Sequence, residues 1–169
     1  MEFMCEFADN AMSAFSDYVD KFTLKKQIDF NVPLWASVDF HSVGSDDTIL
    51  TLMDKDNNVW QYNIKGSLDS QYQQIATILD KCKKLVTAFL ESNSIGSVMT
   101  NEISKLTKQK SKIIEWTTTN ESKENQVGLI QTLLTKDMIH FEASNTNLKS
   151  QFDTFTYSFS KTKKVTYAA

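Results

Sequence analysis

The sequence predicts an α/β fold built on a mixed five-stranded sheet with helices on both faces. Between Pro33 and Lys65, three strand-like segments follow one another with no helical segment between them. After Lys65, segments with helical spacing alternate with further strand-like segments. Three successive strands followed by such alternation are typical of a sheet in which an antiparallel meander precedes parallel strands.

The antiparallel part is expected to be a three-stranded meander. Its segments are "LWASVDF" (34–40), "DTILTLMD" (47–54) and "NVWQYNIK" (58–65). The second and third segments alternate apolar and polar residues and flank the turn-rich "KDNN". This arrangement predicts a hairpin.

Helices and strands are expected to alternate along the rest of the chain. The helical segments are 70–84, 96–108, 124–136 and 147–159, and the strand-like segments are 85–91, 112–118, the short 138–142 and 164–169. Tyr72 and Ile75, for example, share one face of the first helical segment. Trp35, Trp60 and Trp116 fall on predicted strands, so we expect them in the core.

The first 32 residues differ from the rest. They are rich in aromatic and acidic residues, as in "EFMCEFADNAMSAFSDYVDKF", and their apolar spacing is only partly helical. We expect either a helix or a docking segment there. The main domain is therefore predicted to start at residue 33.

Composition limits the classes of function. The chain has 169 residues, of which 41% are hydrophobic, enough for one globular domain with a core. The net charge is −3 and all 18 basic residues are lysines, so bidentate arginine contacts to phosphate or guanine are excluded and DNA contact would be mostly non-specific. Cys5 and Cys82 lack metal-type spacing, which indicates a reducing compartment. No apolar run approaches ~18 residues, so we expect no membrane span.

Two predicted strands end in carboxylates, Asp39 and Glu91. If those strands are parallel neighbours, about 4.8 Å apart, the two acids converge at one edge of the sheet. Close carboxylates repel unless they share a proton or a divalent cation, and oxygen ligands favour Mg²⁺ or Mn²⁺. Two such ions support phosphodiester hydrolysis. The alternative is that each acid merely reaches solvent where its strand ends.

Other polar residues have equally open roles. Asp46 and Asp47 either serve the outer shell of a metal or form the turn before the second strand. The basic run either touches a DNA backbone or forms a solvated helix end; its members are Lys105, Lys108, Lys110 and Lys112.

Four stretches together resemble a known family. They are "SVDFHSVGSDDTILTLMD", "FLESNSIGSVMTNEI", "TTTNESKENQVGLIQTLL" and "KVTYAA". Their order and spacing over residues 33–169 resemble the nuclease domain of the large terminase subunit, the DNA-packaging motor of tailed phages, which has an RNase H/RuvC-like fold. The family's catalytic first-strand Asp matches Asp39, and its Asp-Thr pair matches Asp47 and Thr48. The Glu, Asn and Gly that end its fourth strand match Glu91, Asn93 and Gly96, and a Ser-Lys pair matches Ser122 and Lys123.

The resemblance implies a metal-dependent endonuclease that cuts concatemeric double-stranded DNA during genome packaging. Asp39 and Glu91 would then be the catalytic, metal-binding acids of a two-metal Mg²⁺ or Mn²⁺ site, with Asp46, Asp47 and Asn93 in its outer shell and Lys123 near DNA. Implied partners are an ATPase domain of the same protein, the portal and the small terminase subunit. The implied location is the cytoplasm of an infected bacterial host, or of a host carrying the gene in a prophage, with no membrane partner.

The resemblance also raises a question about both ends. The family's third metal-binding acid comes from a His-Asp-Asp cluster soon after the stretch that matches "TYAA", and this sequence stops at Ala169. We therefore expect residues 33–169 to be a nuclease domain lacking that acid, and residues 1–32 to be a linker or the end of an ATPase domain. Activity of the chain alone is left open. The alternatives are another RNase H-like nuclease, such as a junction resolvase or transposase core, and a non-catalytic fold or interaction module.

Overall fold

The computed structural model describes residues 12–40, 48–92, 96–159 and 165–168. Six strands form the main sheet: β2 (Pro33–Asp39), β3 (Thr48–Asp54), β4 (Asn58–Ile64), β5 (Lys84–Glu91), β6 (Ile113–Trp116) and β7 (His140–Phe141). Their spatial order is β6-β5-β2-β3-β4-β7. β2, β3 and β4 are antiparallel neighbours, whereas β5 lies parallel to β2 and β6 parallel to β5. The predicted meander followed by parallel strands is thus confirmed.

The sheet has one strand more than the five predicted. β7 pairs in parallel with Asn58 and Val59 at the start of β4. Two residues are too few for an alternating pattern, so the sequence indicated only a short extended piece there.

Helices cover both faces of the main sheet, as predicted. α1 (Leu68–Lys81) and α2 (Gly96–Leu106) pack on one face, against a core that includes Leu34, Val38, Leu52 and Leu90. The opposite face is partly covered by α3 (Asn120–Thr135) and α4 (Thr146–Thr154). Side chains alternate between these faces along each strand, so β2 buries Leu34, Ala36 and Val38 while its other residues point the opposite way.

The last predicted helix was too long. The segment 147–159 was expected to be helical throughout, but α4 ends at Thr154, and Thr156–Phe159 is a strand, β8. β8 lies between β1 (Met12–Ser13) and β9 (Val165–Ala168) in a separate three-stranded sheet. The run "TFTYSF" alternates Thr or Ser with aromatic residues, as strands do. Because it pairs with two strands, it is extended despite the helical spacing of the phenylalanines.

Residues 12–32 form a short strand, irregular chain and one 3₁₀ turn (Val19–Lys21) instead of a long helix. Their aromatic side chains pack on α4 and β7: Phe15 lies edge-on to Phe152 with ring centroids 4.8 Å apart, and Phe22 lies 5.1 Å from Phe141. The assignment of residues 1–32 to a neighbouring domain stays a prediction. In the part of the chain described, no helix has the length and apolar character needed to cross a membrane.

A candidate active-site cleft at the carboxyl ends of β2 and β5

Asp39 and Glu91 are the last residues of two neighbouring parallel strands in the interior of the main sheet. The register pairs Val38 with Leu90, so the next residue of each strand is the carboxylate. The predicted juxtaposition of the two strand ends is therefore confirmed. A register bulge near Leu34 and Trp35 brings the two strands into this alignment.

Both carboxylates lie on the same face of the sheet. Val38 and Leu90 are buried in the core beneath α1 and α2, with 2% and 0% of their surface exposed. Because strand side chains alternate, the residues that follow them point to the opposite face. Asp39 is exposed and Glu91 is half-buried there.

These acids line a cleft of about 430 Å³. Its other lining residues are Ser37, Val38, Phe89, Trp116, Thr118 and Gln126. Two of the described lining residues are therefore carboxylates. Carboxylate oxygens are ligands that hard divalent cations such as Mg²⁺ or Mn²⁺ prefer.

Gly96 allows α2 to begin directly against the end of β5. A Cβ atom on Gly96 would lie 2.0 Å from the Glu91 carbonyl oxygen and 2.9 Å from its carbonyl carbon. Only glycine fits such a close approach between backbones. The position of the Glu91 backbone therefore depends on the residue type at 96.

Phe89 and Trp116 form the apolar wall of the cleft. Their rings meet edge to face with centroids 6.1 Å apart, and they are 37% and 38% exposed. Trp116 was expected in the core, as Trp60 is with 3% exposure, but it lies on the edge strand β6 beside Glu91. The sequence analysis did not identify either residue as part of the site. Phe89 lies two residues before Glu91 and Trp116 pairs with Glu91, so both side chains share the sheet face of Glu91.

Thr118, just before α3, and Gln126, in the second turn of α3, form the remaining wall. Ser92 connects this wall to β5, since its backbone N–H donates to the Trp116 carbonyl (2.7 Å) and its hydroxyl lies 2.9 Å from that of Thr117. α3 starts with a capping box in which Thr119 and Ser122 accept each other's backbone N–H groups.

Lys123 lies one helical turn before Gln126 in α3. Its ammonium group sits 5.7 Å from the centroid of the Phe155 ring, in an adjacent groove of about 280 Å³ that Gln126 also lines. Among the predicted DNA-contacting lysines, it is the one that the structure brings near the cleft.

The structure does not bring Lys105, Lys108 and Lys110 to the cleft. α2 begins beside Glu91 and is 11 residues, or about 16 Å, long; Lys105 lies in its last turn, and Lys108 and Lys110 lie beyond its end. Asp46, Asp47 and Asn93 lie outside the described residues. Within the described ranges, no cluster of three or more histidine, cysteine or acidic residues has a metal-binding arrangement.

No protein-family model matches the chain, and no curated protein matches it significantly. Solved structures do match. The large terminase nuclease of thermophilic phage G20c is 14% identical, with a TM-score of 0.69 over 93% of this chain and 88% of that one. The same nuclease with bound magnesium is 13% identical, with a TM-score of 0.65 over 80% and 71%. The large terminase of thermophilic bacteriophage D6E is 11% identical, with a TM-score of 0.66 over 94% of this chain and 41% of that one. The chain therefore has the RNase H-like fold of phage terminase nucleases, which the sequence motifs predicted.

Proposed function

We propose that this chain is the metal-dependent endonuclease domain of a phage large terminase. The observation that carries the proposal is the placement of Asp39 and Glu91 at the ends of adjacent parallel strands, on one face, in one cleft. The fold supports the same reading, since solved terminase nucleases share it, including one with bound magnesium.

The donor set fits a divalent cation. Asp39 and Glu91 line one cleft, and carboxylate oxygens are preferred ligands of hard divalent cations. Asp39 and Glu91 would hold Mg²⁺ or Mn²⁺, with Asp46, Asp47 and Asn93 as candidates for the outer shell. Bound in pairs, such ions lower the pKa of water and stabilise the attacking and leaving oxygens of a phosphodiester.

The remaining lining side chains would position the DNA strand. The Ser37, Thr118 and Gln126 side chains can donate hydrogen bonds to phosphate oxygens or to the attacking water. Phe89 and Trp116 exclude water from one side of the cleft. With no arginine in the sequence, few side chains can read base edges, so cutting would be nearly independent of sequence.

In this proposal the substrate is concatemeric double-stranded DNA in the cytoplasm of an infected or prophage-carrying bacterium. An ATPase domain of the same protein, the portal and the small terminase subunit would determine when and where the cut is made. A cleft that does not recognise the base sequence of DNA is consistent with such external control.

The test is nicking of supercoiled plasmid by the full gene product in Mg²⁺ or Mn²⁺. We expect Asp39→Asn and Glu91→Gln each to reduce the nicking rate at least about a hundredfold. Glu115→Gln is the matched control. Glu115 pairs with Leu90, one position before Glu91, and its side chain therefore points away from the cleft face. Loss of activity in the control, or nicking that survives in both variants, would disprove the assignment. Strong preference for a four-way junction over plasmid would indicate a resolvase instead.

A further inference from the structure

Six exposed lysines converge at the amino ends of β5 and β6. They are Lys81, Lys83, Lys84, Lys108, Lys110 and Lys112, and we refer to them as the lysine face. The first three surround the junction of α1 and β5, and the last three precede β6. Because the whole chain has a net charge of −3, this surface is opposite in sign to the rest of the molecule.

Hydrogen bonds hold the two halves of the lysine face together. The Thr107 hydroxyl and the Lys108 backbone N–H donate to one oxygen of Asp80, at 2.6 and 2.9 Å. The Gln109 amide donates to the Cys82 carbonyl (3.2 Å), and the Thr87 hydroxyl donates to the Lys112 carbonyl (3.1 Å). The backbones that carry the six lysines are therefore fixed relative to one another.

The nearby acids leave the surface basic. Asp80 lies between the two halves and carries its negative charge among the six lysines, whereas Glu102 forms an ion pair with Lys105 at 2.6 Å. Hydrogen bonds from the backbone and side-chain N–H groups of Asn31 lower the pKa of Asp29, and the nearby charge of Lys84 lowers it further. The six positive charges therefore outnumber the two negative charges of Asp80 and Asp29, and the surface stays basic.

The lysine face and the cleft lie at opposite ends of the same strands. β5 starts at Lys84 and ends at Glu91, so its 8 residues separate the two surfaces by about 25 Å. A phosphate held by the lysine face is therefore not the phosphate that Asp39 and Glu91 would attack.

We propose that the lysine face is a second DNA-binding surface, which holds the phosphate backbone of a duplex away from the cleft. The choice of DNA as the polyanion rests on the proposed nuclease function. Duplex DNA presents one charge per about 1.7 Å of its axis, so several lysines on one surface can each contact a phosphate. Lysines contact phosphates as point charges without reading bases, in keeping with sequence-independent cutting. The predicted contacts of Lys108 and Lys110 with DNA are part of this surface, whereas Lys105 is paired with Glu102.

The test is binding of a fluorescent duplex of about 20 base pairs, measured by anisotropy in EDTA between about 50 and 200 mM salt. Without a divalent ion, binding does not depend on the catalytic site. The test variant is Lys83→Gln with Lys108→Gln and Lys110→Gln. The control variant removes the same charge from three exposed lysines around the β4 and β7 half of the molecule: Lys25→Gln, Lys65→Gln and Lys136→Gln.

We expect the test variant to bind at least about tenfold more weakly at 100 mM salt, and its log–log salt slope to fall by about 2 to 3. The control variant should stay within about twofold of wild type. Equal binding by the test variant and wild type, equal losses in both variants, or no salt-dependent binding by wild type would each overturn the proposal. Nicking needs a divalent ion and binding is measured without one, so failure of the nuclease proposal and failure of the lysine-face proposal give different results.

Discussion

Val38 and Leu90 pair in parallel register one residue before Asp39 and Glu91. This pairing fixes the geometry of the candidate site. Because side chains alternate between the two faces along each strand, both carboxylates point to the face opposite Val38 and Leu90. A slip of one residue would turn Glu91 toward the core beneath α2 and bury its charge. The apolar contacts of Val38 and Leu90 therefore maintain the polar arrangement beside them.

The first prediction concerns stabilisation by metal. Because a ligand that binds only the folded state raises stability, millimolar Mg²⁺ or Mn²⁺ should raise the melting temperature of the wild-type chain. Asp39→Asn should abolish this rise, since it removes one of the two charges that would hold the ion. The measurement is thermal unfolding in EDTA and in each metal. Glu115→Gln should respond to metal as wild type does, and an equal response from Asp39→Asn would place the ion elsewhere.

The second prediction concerns Gly96. Gly96→Ala should lower the free energy of unfolding by about 1–3 kcal/mol, because the new methyl group overlaps the Glu91 backbone. It should also weaken the response to metal, since Glu91 must move. Gly128→Ala is the control: nothing lies within 4 Å of a Cβ there, and its helical position should gain about 1 kcal/mol of stability. Denaturant unfolding of the two variants measures both changes in the free energy of unfolding. If the Gly96→Ala variant is as stable as wild type, the close contact with the Glu91 backbone is refuted.

The third prediction uses Trp116 as a reporter of cleft occupancy. A single-stranded oligonucleotide bound with Ca²⁺ should stack on or near this exposed ring. Because Trp116 is one of three tryptophans, the total tryptophan fluorescence should fall by up to about a third. Trp60 is buried, so it should contribute little to the change. Trp116→Phe should eliminate the quenching, whereas Trp35→Phe should retain it. Quenching that persists in Trp116→Phe would mean that the strand binds outside the cleft.

The fourth prediction concerns Asp54, a buried carboxylate in the β3–β4 turn. Burial raises its pKa, but hydrogen bonds from the Asn58 side chain and backbone and from the Asp56 N–H, together with Lys26, outweigh burial and hold the pKa below its ordinary value of 3.8. A depressed folded-state pKa contributes stability above the unfolded value, and this contribution disappears as the pH falls through the folded value. Asp54→Asn should therefore be about 1–3 kcal/mol less stable than wild type at pH 7, and the difference should shrink below pH 4.

Urea unfolding at pH 7 and at pH 3 tests this difference. Asp56→Asn is the control, because Asp56 is exposed in the same turn and its replacement should change the free energy of unfolding by less than about 0.5 kcal/mol. A difference between Asp54→Asn and wild type that is the same at both pH values would show that ionisation of Asp54 is not the cause.

The main sheet was predictable because its strands carry local signals. The hairpin of β3 and β4 follows from alternation and a turn, and the neighbouring positions of β2 and β5 follow from their apolar character and the order of elements. β7 was not predictable as a sheet strand, because its two residues pair only through tertiary contact with β4. The end of α4 was predicted too late because the spacing of Phe152 and Phe155 is helical. Thr156 instead pairs with Ser13, a residue far away in the sequence, and local spacing cannot reveal that pairing.

The candidate site was predictable to the extent that its residues end strands. Asp39 and Glu91 interrupt apolar segments, which makes their charges conspicuous in the sequence. Phe89 and Trp116 are inconspicuous, because aromatic residues in strands usually signal a core, and only the edge position of β6 leaves Trp116 exposed. The separation of the lysine runs from the cleft depends on the direction of α2, which follows from the fold and not from local spacing.

The parallel pairing of β2 with β5 also determines when the cleft can assemble during folding. In the sequence, the β3–β4 hairpin and α1 separate the two strands. The carboxylates therefore meet only after a loop of about fifty residues has closed, whereas the hairpin closes over a short turn. Contacts made late in folding mainly affect the rate of unfolding. An ion held by Asp39 and Glu91 is therefore expected to lengthen the lifetime of the folded state without shortening the time needed to reach it.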